Sequence, residues 1–278
     1  MAVYMNAEDH KVARAVERVL PEVGAAIDAA ASALRTGGRI IYIGAGTSGR
    51  LGVLDAAEIP PTFSAPPEMV IGLIAGGKAA MFNAQEGVED DPARGAADLA
   101  SINVDSRDFV VGLAASGRTP YVLGAIRKAQ AAGAGTAGIS CNAHSPLARL
   151  CDIAITPIVG PEILSGSTRL KSGTAQKQIL NMISTGAMVR IGKCYGNRMV
   201  DLNASNEKLK ARAINFVEEL TPCSKDVALK VLEATDWDIK AAILVGKTGM
   251  DAVDAAAGID ASGGHLRKAI AAGKTPDR

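Results

Sequence analysis

The chain has 278 residues, a formal net charge of +1, 3% aromatic residues and four cysteines. That length buries a sizeable core and fits one large domain plus a smaller one, while near-neutral charge and scarce rings argue against nucleic acid as a partner. Cys141, Cys151, Cys194 and Cys223 form no Cys-x-x-Cys pair, the pattern of reduced thiols in a cytoplasmic protein, and no run reaches the roughly 18 apolar residues that a membrane span needs.

From Ala7 to Leu34 apolar residues return at helical spacing (Val12, Val16, Val19, Val23, Ile27, Ala30). Pro21 predicts a break and Gly37-Gly38 a stop, so residues 1–36 read as an N-terminal helical region. Five β-rich runs follow, Ile40 to Ile43, Val70 to Ile74, Phe109 to Leu113, Thr136 to Ile139 and Ile153 to Thr156, alternating with helical stretches. Such alternation predicts an α/β fold with a doubly wound parallel five-stranded sheet, placed over residues 37–209. A long helix is expected from Ser172 to Ile191. Leu209 to Leu220, Ser224 to Ala234 and Asp236 to Val245 then read as a small three-helix bundle in residues 210–278, whose last residues, 271–278, read as frayed.

The first strand runs into Gly44-Ala-Gly46-Thr47-Ser48-Gly49-Arg50, a glycine turn with two hydroxyls at a helix start. Glycines let backbone approach an anion, and the free N–H groups and dipole of the helix end favour negative charge. A looser copy follows the third strand, with Ser116, Gly117 and Thr119; Ser165, Ser167, Thr168 and Lys171 make a third hydroxyl-rich segment before the long helix. Capping alone needs one such residue per helix. Parallel sheets bind ligands beyond their strands' carboxyl ends, where strand order reverses, so the turns are candidates for one phosphate site. Gly44-x-Gly-x-x-Gly49 also satisfies a dinucleotide fingerprint, but the next strand ends in Ile74-Ala-Gly-Gly77 instead of the acidic residue that a ribose requires. Arg50, Arg118 and Arg169 are further candidate anion partners, and His144 and His265 complete no visible metal set.

Taken together, Gly44-Ala-Gly-Thr-Ser-Gly-Arg-Leu-Gly52, Asp55-Ala-Ala-Glu-Ile-Pro-Pro-Thr62, Ala114-Ala-Ser-Gly-Arg-Thr-Pro120 and Ser165-Gly-Ser-Thr-Arg-Leu-Lys-Ser-Gly-Thr-Ala-Gln176 resemble the N-acetylmuramic acid 6-phosphate etherases. These belong to the sugar isomerase (SIS) domain proteins, with a flavodoxin-like sheet and a C-terminal ubiquitin-associated-like bundle. The resemblance implies hydrolytic removal of D-lactate from N-acetylmuramic acid 6-phosphate in cell-wall sugar recycling, by a homodimer with no metal or organic cofactor. Two departures stand out. Family members carry a further polar segment before the first helix, and Ala57 occupies a position where the family usually has Ser.

The family's two catalytic glutamates match Glu58 and Glu89. Two carboxyl groups suit an elimination and rehydration, one as acid and one as base. Glu58, between an apolar helix and an Ile59-Pro60-Pro61 stop, is expected in a dry setting as the acid, and Glu89, in the cluster Glu86, Glu89, Asp90, Asp91, as the base. Glu58 lies nine positions past Gly49, roughly 13 Å along a straight helix. Either the helix bends or Glu58 serves the partner subunit's site. An isomerase or a sugar-phosphate-sensing regulatory protein would use the same cradle without breaking the ether.

Overall fold

Uncharged runs, rich in Ile, Val and Leu except for the Gly-Thr-Ala-Gly-Ile of β4, form β1 (Ile40–Gly44), β2 (Val70–Ile74), β3 (Phe109–Leu113), β4 (Gly135–Ile139) and β5 (Ile153–Ile155). All pair in parallel in the order β2-β1-β3-β4-β5, with Ile40 facing Val70 on one side and Phe109 on the other. Every residue of β1 and β3 is buried, as a sheet covered on both faces requires. Strand order reverses at β1, so its end and that of β3 flank the crevice where such folds bind ligands.

This is a computed structural model, and it describes residues 1–202, 204 and 206–273. Residues 274–278, part of the stretch expected to fray, lie outside the described residues. Two compact units divide the chain: Met1–Glu58 with Pro67–Ala187, and Ile59–Pro66 with Met188–Arg278.

In the first unit, α1 (Ala2–Glu17) and α2 (Leu20–Arg35) precede the sheet. Pro21 sits in the first turn of α2, where its missing N–H costs nothing. The crossovers carry α3 (Gly46–Phe63), α4 (Ala79–Phe82), α5 (Pro92–Ser101), α6 (Pro120–Ala131), α7 (Pro146–Leu150) and α8 (Lys171–Arg190). One sheet face, with Ile41, Ile43 and Val110, is covered by Leu99 of α5, Val122 and Ile126 of α6, and Leu147 of α7. On the other face α3 lies against Tyr42 and Leu113. At the sheet's amino end the buried Asp108 carboxylate accepts from Arg39 N, Nε and Nη2 at 2.9, 3.0 and 2.6 Å. Asp152 there accepts from the Thr136 amide and hydroxyl at 2.8 and 2.7 Å.

The second unit holds the hairpin β6 (Cys194–Tyr195) and β7 (Arg198–Met199), then α9 (Glu207–Leu220), α10 (Lys225–Ala234), α11 (Ile239–Thr248), α12 (Ala252–Ala261) and α13 (Leu266–Gly273). Among the described residues five helices therefore stand where three were expected, because Ala255, Ile259, Leu266 and Ala269 of the last two complete the apolar core around Ile243 and Leu244. Val200 and Leu202 join that core, so this unit begins ahead of the boundary near residue 210 expected from the sequence. The buried Lys240 ammonium donates to Asp201 at 2.9 Å and to the Gly264 carbonyl at 3.0 Å.

Candidate active site

The first turn joins β1 to α3. Gly46 has φ +53°, and a Cβ on Gly44 would meet Gly49 N at 2.8 Å, so side chains are excluded where the backbone folds back. The first bond of the turn runs from Gly49 N to Ala45 O at 3.1 Å, leaving the amides of Gly46, Thr47 and Ser48 ahead of it. The Ser48 hydroxyl, expected to face phosphate, is instead buried and donates to Gln176 Oε1 of α8 at 2.8 Å. Its proton is therefore committed inside the protein, while Gly46 and Thr47 remain at the surface of the turn.

The second turn joins β3 to α6. Gly117 has φ +65°, and a Cβ there would collide with Ser145. Thr119 occupies the N-cap of α6 but makes no capping bond, and Pro120 starts the helix without an amide proton. The Thr119 hydroxyl is thus not committed to capping. Asn142 Nδ2 donates to the carbonyls of Ala115 and Ser116 at 3.2 and 3.3 Å, tying the loop after β4 to this turn. A cavity of about 440 Å³ results, lined by Ser116, Arg118, Asn142, His144, Ser145 and Arg149. That loop escaped the sequence reading, since only the adjacency of β3 and β4 brings it here.

The third segment reaches the first turn through α8. A Cβ on Gly173 would lie 3.6 Å from the Thr47 methyl, so α8 starts against α3. On the other side Ser172 lies against the Cys141 thiol, whose pKa is raised by burial. Ser165 and Thr168 are exposed and Ser167 half-buried. Lys171 differs from its expectation as an anion partner: it is 1% exposed, and its ammonium pairs with Glu8 at 2.5 Å.

Glu89 lies between the first two turns. Its carbonyl accepts from Tyr121 N at the start of α6 (3.0 Å), and it shares a cavity of about 300 Å³ with Gly46, Arg50, Gln85 and Glu86. Arg50 is steadied by Nε donating to Met81 O at 3.1 Å. Glu58 does not line that cavity, and it is exposed where a dry setting was expected. Pro60 and Pro61 do not stop α3, which continues to Phe63 and ends where Ser64 takes φ +47°. The buried carboxylate on α3 is Asp55, one turn earlier, holding Asn181 Nδ2 and Ser184 Oγ of α8 at 2.6 and 3.2 Å. Burial raises its pKa, opposed by those two bonds. Among the described residues no group of three or more His, Cys, Asp or Glu could hold a metal ion, and no helix is long and apolar enough to cross a membrane.

Two domain families match the chain: a SIS domain over residues 91–185, and the glucokinase regulatory protein N-terminal SIS domain over residues 22–130. The phosphoheptose isomerase of Francisella tularensis shares the fold, with TM-score 0.52 at 16% identity over 67% of this chain and 95% of that one. The N-acetylmuramic acid 6-phosphate etherase of Brucella anthropi is 56% identical over 270 residues, spanning 97% of this chain and 88% of the relative. That of Cronobacter sakazakii is 58% identical over 265 residues, spanning 95% and 89%. With likeness running at that level along almost its whole length, the chain belongs to the N-acetylmuramic acid 6-phosphate etherases, a family of SIS-domain enzymes.

Proposed function

We infer that the crevice beyond β1 and β3 binds N-acetylmuramic acid 6-phosphate and cleaves its D-lactyl ether with water, giving N-acetylglucosamine 6-phosphate and D-lactate. The observation that carries this is the place of Glu89, bonded through its backbone to the helix of the second turn and sharing a cavity with Gly46 and Arg50 of the first. Phosphate is held by the amides at Gly46, Thr47 and Ser48, which precede the first bond of the turn, by Ser116 and Thr119, and by the hydroxyls of Ser165, Ser167 and Thr168.

Ring opening exposes a C1 aldehyde that acidifies the C2 proton. Glu89 takes that proton while Glu58 gives one to the lactyl oxygen leaving C3, so the C–O bond breaks as a C2–C3 double bond forms. Water then adds at C3, its proton passing to the carboxylate that acted as acid, and C2 regains a proton from the base. Both glutamates return to their starting forms. Because α3 is continuous up to Glu58, which lies nine positions past Gly49, the acid at each site is read as Glu58 of the partner subunit in a homodimer. The cytoplasm and the recycling of cell-wall sugar belong to the same reading, on the family resemblance.

The test is D-lactate release from N-acetylmuramic acid 6-phosphate by the wild-type chain, Glu58→Ala, Glu89→Ala and an unfolded-and-refolded mixture of the two variants. Release lost in each variant and partly regained in the mixture supports shared sites; no regain means self-contained ones. Saturable binding without release by the wild type would instead favour a sensor, the class suggested by the match to a regulatory protein's SIS domain.

A further inference from the structure

Glu162 and Lys171 meet at the start of α8 with Glu8, which lies 163 residues before that lysine. The Lys171 ammonium is enclosed and donates to Glu8 Oε2 of α1 at 2.5 Å, while the other Glu8 oxygen takes Lys11 at 2.5 Å. A Cβ on Gly160 would come within 3.9 Å of that ammonium, so the segment leading from β5 passes over it. Glu162, on the same segment, accepts from the amides of Lys171 and Ser172 at 3.0 and 2.9 Å and from the Ser172 hydroxyl at 2.9 Å. Internal carboxylates thus occupy both the positive end of the helix and the cation that would otherwise attract a ligand anion.

We propose that Glu8 is a positioning residue: acting through Lys171, it fastens α1 to the first turn of α8 and so fixes residues 165–170 and Gly173 against the phosphate turns. The proposal rests on the reading that those residues touch the sugar phosphate. The pair is asymmetric. Removing the Glu8 charge strands an enclosed ammonium, whereas removing the ammonium leaves a partly exposed carboxylate still beside Lys11. A clamp is therefore hurt more by losing Glu8; a lysine that binds substrate directly is hurt more by losing Lys171.

The experiment compares Glu8→Gln, Glu8→Asp, Lys171→Met, the double variant Glu8→Gln/Lys171→Met and Ser167→Ala. Each is followed by D-lactate release and by calorimetric binding of N-acetylglucosamine 6-phosphate, with thermal melts to verify folding. Glu8→Gln is expected to weaken ligand binding and raise KM about tenfold with kcat within about threefold, the sign of lost uniform binding. Lys171→Met is expected to lose less, the double variant no more than Glu8→Gln, and Glu8→Asp to recover most of the affinity. A larger loss in Lys171→Met than in Glu8→Gln, or unchanged affinity in Glu8→Gln, overturns the proposal. If Glu8→Gln does not fold, the double variant decides, since it carries no stranded charge: a folded double variant supports the clamp and an unfolded one overturns it. Ser167→Ala with unchanged affinity sinks the substrate role of that segment instead, and a wild type that binds but releases no lactate sinks the etherase reading while the binding series still judges the clamp.

Discussion

The same five strands end in two different ways. At the amino ends charge is answered within the chain, Arg39 by Asp108 and the polar groups of Thr136 by Asp152. At the carboxyl ends of β1 and β3 the amides of Gly46, Thr47 and Ser48 precede the first bond of their turn, Thr119 makes no capping bond, and among the described residues the side chain of Arg118 makes no hydrogen bond or ion pair. The start of α8 lies beside those open turns yet is finished like the amino end, with Glu162 and Glu8 filling it. Satisfied groups thus separate from open ones along a line that residue type alone does not draw, and the proposed function places the sugar phosphate on the open side.

That contrast can be broken in graded steps. The largest effect is expected from Glu89→Gln, which keeps shape and removes the proposed base: about 10²- to 10⁴-fold in kcat for lactate release with the melting temperature little changed. At the opposite end Asp108→Ala should do the reverse, costing about 3 kcal/mol in urea unfolding because Arg39 loses its buried partner but is itself partly exposed, while folded protein keeps its kcat. Replacing Thr119 by Val should raise KM about tenfold by removing the proposed hydrogen bond to the phosphate, with no loss of stability, since the hydroxyl makes no capping bond. A stability loss without a KM change would move Thr119 to the scaffold. The smallest effect concerns Asp55. A carboxyl whose folded pKa is raised stabilises the fold most at low pH, and that advantage is lost as pH climbs through the folded pKa. Asp55→Asn keeps an oxygen for Asn181 and Ser184 and cannot ionise, so relative to wild type it should gain stability from pH 4 to pH 8. A flat difference would show that Asp55 titrates as an ordinary carboxylate.

The sheet was legible because Ile40 to Ile43 and Phe109 to Leu113 are uninterrupted apolar runs, and both glycine turns because φ > 0 and close backbone approach leave only Gly at positions such as Gly117. Partnerships across the chain were not. Ser48 with Gln176, Asp55 with Asn181 and Glu8 with Lys171 are separated by 128, 126 and 163 residues, and no local periodicity announces such pairs. The helix Ala252–Ala261 was missed for another reason: six of its ten residues are Ala or Gly, so its buried stripe of Ala255 and Ile259 hardly stands out from its surroundings.

The passage of α3 through Pro60 and Pro61 has a consequence for Glu58. Each proline lacks the amide that would close onto the carbonyl four residues back, so the oxygens of Ala56 and Ala57 lose their usual rungs of the helical ladder. Glu58 therefore follows directly on two carbonyls that lack their i+4 amide donors, and those two missing rungs make this the turn of α3 where the least bonding resists a change of curvature.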